Sequence, residues 1–350
     1  MIRVGIVGVG NCASALVQGV EMYRDNPELE PAVAFKAVGR YTPRDIVFTS
    51  AFEIDARKVG LDLAEAIFQP PNNATVVYRP QKLGVVVRPG PVFDGKPEGG
   101  LVREVVGGTV EDVVKELNST NTEVLVNYLP TGAVKAAEAY AEAALRAGAA
   151  FINAMPAPIA TSGYWQRRFA ERGVPLLGDD TQNQIGATVL HKTLTRLLAL
   201  RGVKIRHTYQ INVGGTPDFV NLMYRRGDKE RTKTAAVKAM ATGQEFDAYI
   251  SPVAYIGFLG DRKIAHVLVE AEIFGGIPVR LEATLDVHDA WNSAAVVIDS
   301  VRLAKLAIDR GAGGLLVSAS AWGFKNPPVH MSPDEAYRAV LEFIEGKRDN

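Results

Sequence analysis

Ile2-Arg3-Val4-Gly5-Ile6-Val7-Gly8-Val9-Gly10-Asn11-Cys12-Ala13 opens the 350-residue chain, and its reading decides the fold. A short apolar strand runs into Gly8-x-Gly10-x-x-Ala13 and then into a helix-like stretch, Ser14 to Tyr23. Gly8 allows the tight turn, Gly10 lets backbone approach a phosphate, and Ala13 permits close helix-on-strand packing. Free N–H groups at the helix start face negative charge. Glycine runs also occur as plain turns; set between a buried strand and a helix, this one predicts a dinucleotide pyrophosphate site.

Working outward, apolar run, turn and helix repeat from Val4 to about Leu200, which predicts a Rossmann-like α/β fold with a doubly wound parallel sheet. Strands are expected at Ile46 to Ile54, Gly84 to Val87, Val124 to Tyr128, Ala150 to Ala154 and Val174 to Gly178. Val134 to Ala147 is Ala-rich, with Gly148 as its C-cap. A dinucleotide fold places an acid at the end of the second strand to accept ribose hydroxyls. Here Glu53 and Asp55 are the candidates, delayed by the long connection Asp25 to Asp45. An acid there favours NAD over NADP, because a 2′-phosphate is repelled.

After Gly202 the period changes. Val203, Ile205, His207, Tyr209, Ile211 and Val213 alternate with polar residues, the two-residue period of a strand with one buried face. The alternation returns at Val267 to Ile273 and Val279 to Val287, with Gly275-Gly276 as a hairpin turn between them. An α+β domain built on a mainly antiparallel sheet is therefore expected, inserted into the first. From Asn292, a candidate N-cap, helical spacing resumes through Ala294, Val297, Val301, Ala304 and Ile308 to Gly311, and Leu315 to Ala319 reads as another strand. The division follows: 1–200 the NAD-binding domain, 201–288 the insertion, 289–350 the return that completes the first domain.

Composition bounds the function. The 39 basic residues balance 39 acidic ones, so no global field favours nucleic acid or an anionic membrane. Cys12 is the single cysteine, which rules out an intrachain disulfide and points to a reducing compartment. The start lacks the charged end and long apolar core of a signal peptide, and no stretch is long and apolar enough to span a bilayer, so a cytoplasmic protein is expected. The five histidines show no metal-ligand spacing, and no metal site is assigned. One dense basic cluster stands out: Arg225, Arg226, Lys229, Arg231, Lys233 and Lys238. It reads equally as an anion site or as a solvated helix face. Gly178-Asp179-Asp180-Thr181 falls at the carboxyl edge of a parallel strand, where ligands of open sheets bind.

These residues together carry a resemblance. Gly8-Val9-Gly10-Asn11-Cys12-Ala13-Ser14, Gly178-Asp179-Asp180, Asn212-Val213-Gly214-Gly215 with Asp218-Phe219, Lys229-Glu230-Arg231-Thr232-Lys233, Gly260-Asp261-Arg262-Lys263 and Lys325-Asn326-Pro327-Pro328 stand in order along the chain. The set resembles the motifs of the myo-inositol-1-phosphate synthase family, its compact prokaryotic branch in particular. The resemblance implies an NAD-dependent isomerase of inositol and phospholipid biosynthesis. Glucose 6-phosphate would be oxidised at C5, enolised, cyclised by an intramolecular aldol step and reduced to inositol phosphate. It further implies a homotetramer, and a divalent cation or ammonium as candidate addition.

By match of position the resemblance implies Lys229, Lys233, Lys263, Asp289 and Lys325 as catalytic residues, and Asn212, Gly215, Thr216 and Asp218 as substrate contacts. The cofactor would meet Gly8, Gly10, Asn11, Cys12, Ala13, Glu53, Asp55, the turn Tyr128-Leu129-Pro130-Thr131, Asp180 and Gly186. Two positions depart from the family pattern: Thr216 stands where Asn is usual, and Asn183 where Ser or a similar residue is common. The alternative is an NAD-dependent dehydrogenase or cyclase acting on a related sugar phosphate.

Overall fold

The computed structural model describes all residues except 226–233, 235 and 242. Its strands are β1 (Ile2–Val7), β2 (Ile46–Glu53), β3 (Val87–Pro89), β4 (Val124–Asn127), β5 (Ala150–Asn153), β6 (Pro175–Gly178), β7 (Lys204–Gly214), β8 (Asp247–Tyr255), β9 (Arg262–Ile273), β10 (Ile277–His288) and β11 (Gly314–Leu315). One sheet runs β11-β6-β5-β4-β1-β2-β3 with every neighbouring pair parallel. Strands β4, β5 and β6 are buried along their whole length, because helices cover both faces of the sheet. Helices Asn11–Asp25 and Asp289–Arg310 pack on one face, while Val110–Ser119, Val134–Ala147 and Gly163–Arg172 pack on the other. From β1 the order runs one way through β2 and the other through β4, so a crevice opens at their carboxyl ends.

The second sheet runs β10-β9-β7-β8. Pairs β7/β9 and β9/β10 are antiparallel, and Gly275 and Gly276 take positive φ at the hairpin turn. β7/β8 is parallel, so this sheet is mixed, and β8 is a strand that apolar alternation does not reveal. The expected alternation in β7 also breaks. A register shift between Ile205 and His207 reverses its parity: Ile205 is buried, then Thr208, Gln210, Asn212 and Gly214, while Tyr209 turns outward. The buried face of β7 is therefore polar where it approaches the crevice.

The chain then returns to the first sheet. Ala294, Val297, Val301 and Ala304 are buried against the helix Asn11–Asp25 in one core. That helix starts at Asp289, with His288 as N-cap; Asn292 instead exchanges side-chain bonds with the backbone of Ile185. β11 covers only Gly314–Leu315, and Val317 already begins a helix. The expected strand at Gly84 to Val87 likewise lies later, at Val87–Pro89. Glycines 148 and 311 end their helices in the left-handed conformation, as expected.

Candidate active site

The glycine loop is shaped as a phosphate cradle. Gly8 has φ +82°, and a Cβ there would lie 2.7 Å from the Tyr128 carbonyl oxygen, so the position admits no side chain. A Cβ on Gly10 would meet nothing within 4 Å; it would project into the open cradle. The helix Asn11–Asp25 has no side-chain cap at its start, which leaves its first N–H groups for an anion. Ala13 is fully buried in the core beneath. Glu53 closes the loop: its carboxylate accepts from Val9 N at 2.9 Å and Ile54 N at 2.7 Å. Asp55 lines the same cavity, but its carboxylate is taken by Arg57 in a bidentate pair.

Lys58, which the sequence did not single out, is buried beside this acid. Its Nζ donates to Val9 O at 2.7 Å and Asn72 Oδ1 at 2.8 Å. Burial pushes its pKa down against the pull of Glu53 and Asp55. The neighbouring Asn73 ties three segments together. It exchanges bonds with Asn11, at 2.7 Å and 2.9 Å, and donates to Gly215 O at 2.9 Å.

At the carboxyl edge of β4, β5 and β6 lies a buried polar ladder. Asn127 donates to Asn153, and Asn153 to Asp179, at 2.8 and 2.7 Å. Asp179 also accepts from Ala160 N, Thr161 N and Thr161 Oγ1. Burial raises its pKa to about 6 despite these bonds. Asp179 thus holds the turn, and Asp180, at φ +63°, faces the cavity with Lys325 Nζ 2.9 Å from its Oδ1. Backbone bonds join residues 325–326 to 179–180, so the lysine arrives with the turn already paired.

Opposite stands a second pair. Lys263, near the start of β9, donates to Oδ1 of Asp289, the first residue of its helix. Asn183 Nδ2 donates to the same oxygen at 2.7 Å. Burial alone would push the Asp289 carboxyl up; the Lys263 charge and bond, the Asn183 bond and the Lys325 charge reverse this and hold it well below the usual carboxylate range. Lys263 and Lys325, both expected as catalytic from the resemblance, each meet a carboxylate. Lys229 and Lys233 lie outside the described residues.

One cavity joins these parts, lined by Gly10, Glu53, Asp180, Thr216, Lys263 and Asp289 among others. Cys12, Tyr128, Leu129, Pro130, Gly186, Asn212 and Asp218 also line it. Thr216 is buried and its hydroxyl has no partner, although it occupies the N-cap position of the helix Pro217–Tyr224. The Tyr128 hydroxyl is likewise buried and unpaired. Gly215 is not among the lining residues. A Cβ on it would strike Gly260 backbone at 2.6 Å, so it is a packing glycine. Thr131 is buried behind the lining, its carbonyl accepting from Asn221. Arg225 donates to the carbonyls of Asp94 and Thr131, and so serves the loop rather than a ligand.

The residues present fit a dinucleotide: an open cradle at Gly10, an uncapped helix start, and orphaned hydroxyls along the wall. A divalent cation fits less well. Among the described residues no three His, Cys, Asp or Glu side chains gather to hold one.

Comparison with known proteins agrees with this geometry. Residues 186–290 match the family model for myo-inositol-1-phosphate synthase. The inositol-3-phosphate synthase of Mycolicibacterium smegmatis is 43% identical, over 99% of this chain and 98% of its own. The crystal structure of Ari2 superposes with a TM-score of 0.80 at 33% identity, covering 98% of this chain and 99% of that one. That of a myo-inositol-1-phosphate synthase-related protein from Thermotoga maritima gives 0.84 at 26%, covering 99% and 98%. With a cradle for a dinucleotide, two lysine–carboxylate pairs in one cavity and 43% identity along nearly its whole length, the chain belongs to the myo-inositol-1-phosphate synthase family.

Proposed function

We propose that the chain converts glucose 6-phosphate to inositol phosphate, an isomerisation in which the sugar is oxidised at C5, closed into a ring and reduced again. The observation that carries this is the meeting, in one cavity, of the glycine cradle with the pairs Lys263–Asp289 and Lys325–Asp180. Gly8 to Ala13, with Glu53 at the ribose, would hold NAD, which would supply reversible hydride chemistry. The chain's own residues do the rest. Once C5 is a ketone its neighbour C6 loses a proton readily, and the electron pair left behind attacks C1. The oxygen formed at C1 takes up a proton in place of the one lost from C6. The hydroxyl proton released when C5 is oxidised returns when it is reduced, so atoms and electrons balance with no net oxidation.

Two ammonium groups suit the two places where negative oxygen develops. Lys325, anchored by Asp180, serves C5, and Lys263, anchored by Asp289, serves the C1 carbonyl. Lys229 is assigned beside Lys263 at C1, and Lys233 to the phosphate. Asp289 has so little affinity for a proton that it acts as an ionised anchor and acceptor rather than as a strong base. Thr216, Asn212 and Asp218 are assigned to the sugar hydroxyls, with Thr216 offering its unpaired Oγ1.

Residues 1–200 and 289–350 form the NAD-binding unit in this reading, and 201–288 the catalytic and tetramerisation unit. No helix among the described residues is long and apolar enough to cross a membrane. We place the enzyme in the cytoplasm. A homotetramer is supported by the outer face of the mixed sheet, where Tyr209 and Tyr249 stand exposed.

The test is phosphorus and carbon NMR of the protein with glucose 6-phosphate and catalytic NAD+, with NADH absorbance followed throughout. Inositol phosphate forming without NADH build-up is the expected result. NADH rising in step with substrate loss would replace this reading by a net dehydrogenase.

A further inference from the structure

Asn183 stands where the two halves of the site meet. Its side chain is 8% exposed, and its Nδ2 reaches Oδ1 of Asp289, the oxygen that also pairs with Lys263. The segment that carries it is fixed: Gln184 N donates to Asn292 O, Ile185 N to Asn292 Oδ1, and Asn292 Nδ2 to Ile185 O. Gly186 makes room, since a Cβ there would lie 2.8 Å from the Asn183 Cβ. None of these contacts is needed to close a helix or a sheet. Together they hold one amide against one carboxylate.

We propose that Asn183 is a positioning residue for the reaction, whose amide fixes Asp289 through Oδ1 so that Lys263 is aimed and Oδ2 is left to accept a substrate hydroxyl. This rests on the proposed isomerase reading only for the identity of that hydroxyl. Besides Asn183, Asp289 faces Lys263 from β9 and Lys325 from the opposite wall, with Asp180 behind Lys325. The adjoining His288 is engaged by Asp261, whose carbonyl accepts from Asp289 N. Asn183 is the uncharged donor in this set. It adds direction without adding to the charge balance.

The first measurement is steady-state kinetics of Asn183→Ala with NAD+ saturating. Loss of a hydrogen bond to an ionised group is expected to lower kcat about tenfold. KM for glucose 6-phosphate and the affinity for NAD stay within about twofold, because neither the phosphate nor the cradle is touched. In an Asp289→Asn background the same change adds little. A fall confined to KM, or an equal fall in both backgrounds, overturns the proposal.

Asn183→Asp gives a sharper signature. Ionised, its carboxylate opposes Asp289 and its pKa is raised by a like charge; protonated, it donates as the amide did. Activity relative to the parent protein should therefore rise about tenfold between pH 8 and pH 5. The Tm deficit of the variant should narrow over the same interval, since an acid with a raised folded-state pKa gains stability as pH falls. A ratio and a deficit that are flat in pH overturn the proposal. The Tm series needs no turnover, so it tests the Asn183–Asp289 bond even if the parent protein forms no inositol phosphate.

Discussion

Gly8 and Gly10 are two residues apart and fail in different ways when changed. At Gly8 a methyl group meets the Tyr128 carbonyl and the backbone is left-handed, so Gly8→Ala is expected to cost about 1–3 kcal/mol of stability. At Gly10 φ is −92° and the space is open, so Gly10→Ala folds as before, within about 0.5 kcal/mol. It instead fills the cradle and weakens NAD binding, by roughly tenfold or more. Urea melts and NAD titration of the two variants separate these outcomes. Both roles were legible in the sequence, because a strand, two glycines and a helix start leave few geometries. Lys58 was not legible as a site residue, and Asn183 was legible only as a departure from the family pattern, without its partner. Each acts through a partner more than forty residues away, Asp289 for one and Val9 for the other, and local pattern carries no trace of that.

The long connection after the first helix owes its order to a later element. Arg302, fully buried in the helix Asp289–Arg310, pairs with Asp299 and donates to the carbonyls of Phe35, Lys36 and Tyr41. Asp299 accepts in turn from Ala34 N at 3.1 Å, and burial raises its pKa to about 6. Arg302→Ala removes the buried guanidinium from that carboxylate and from three carbonyls, at a cost of about 3–5 kcal/mol. Denaturant melts measure the loss, and amide exchange should quicken at residues 33–41 first. Apolar spacing located this helix but hid its buried charge, since an arginine in a helical pattern reads as surface. In β7 the same signal misled. One bulge moved Tyr209 from the expected core face to the outside and put Thr208, Gln210 and Asn212 in its place, with His191 bonded to Thr208 at 2.6 Å. β8 was invisible for a related reason: Ser251 and Pro252 sit buried mid-strand, where alternation expects apolar residues.

For the whole molecule, the parity change in β7 leaves an aromatic pair on the face where the tetramer is proposed to form. Tyr209 and Tyr249 are register partners on the open face of the mixed sheet, 36% and 57% exposed. Covering one such ring contributes on the order of 2 kcal/mol. Tyr249→Glu is therefore expected to lower the mass seen by light scattering while the circular dichroism of the chain is kept. A parent protein that is already monomeric removes the basis for a tetramer.

Asn73 belongs to neither sheet, yet it grips Asn11 at the cradle and Gly215 in the loop that leads to Thr216. Whatever orders one of those loops lowers the entropy still to be lost by the other. Reciprocity then requires that sugar phosphate tighten the grip on the dinucleotide by the same factor that the dinucleotide tightens the grip on sugar phosphate. For an enzyme whose reaction ends with no net oxidation of its substrate, such mutual retention would hold both ligands together from the first step to the last.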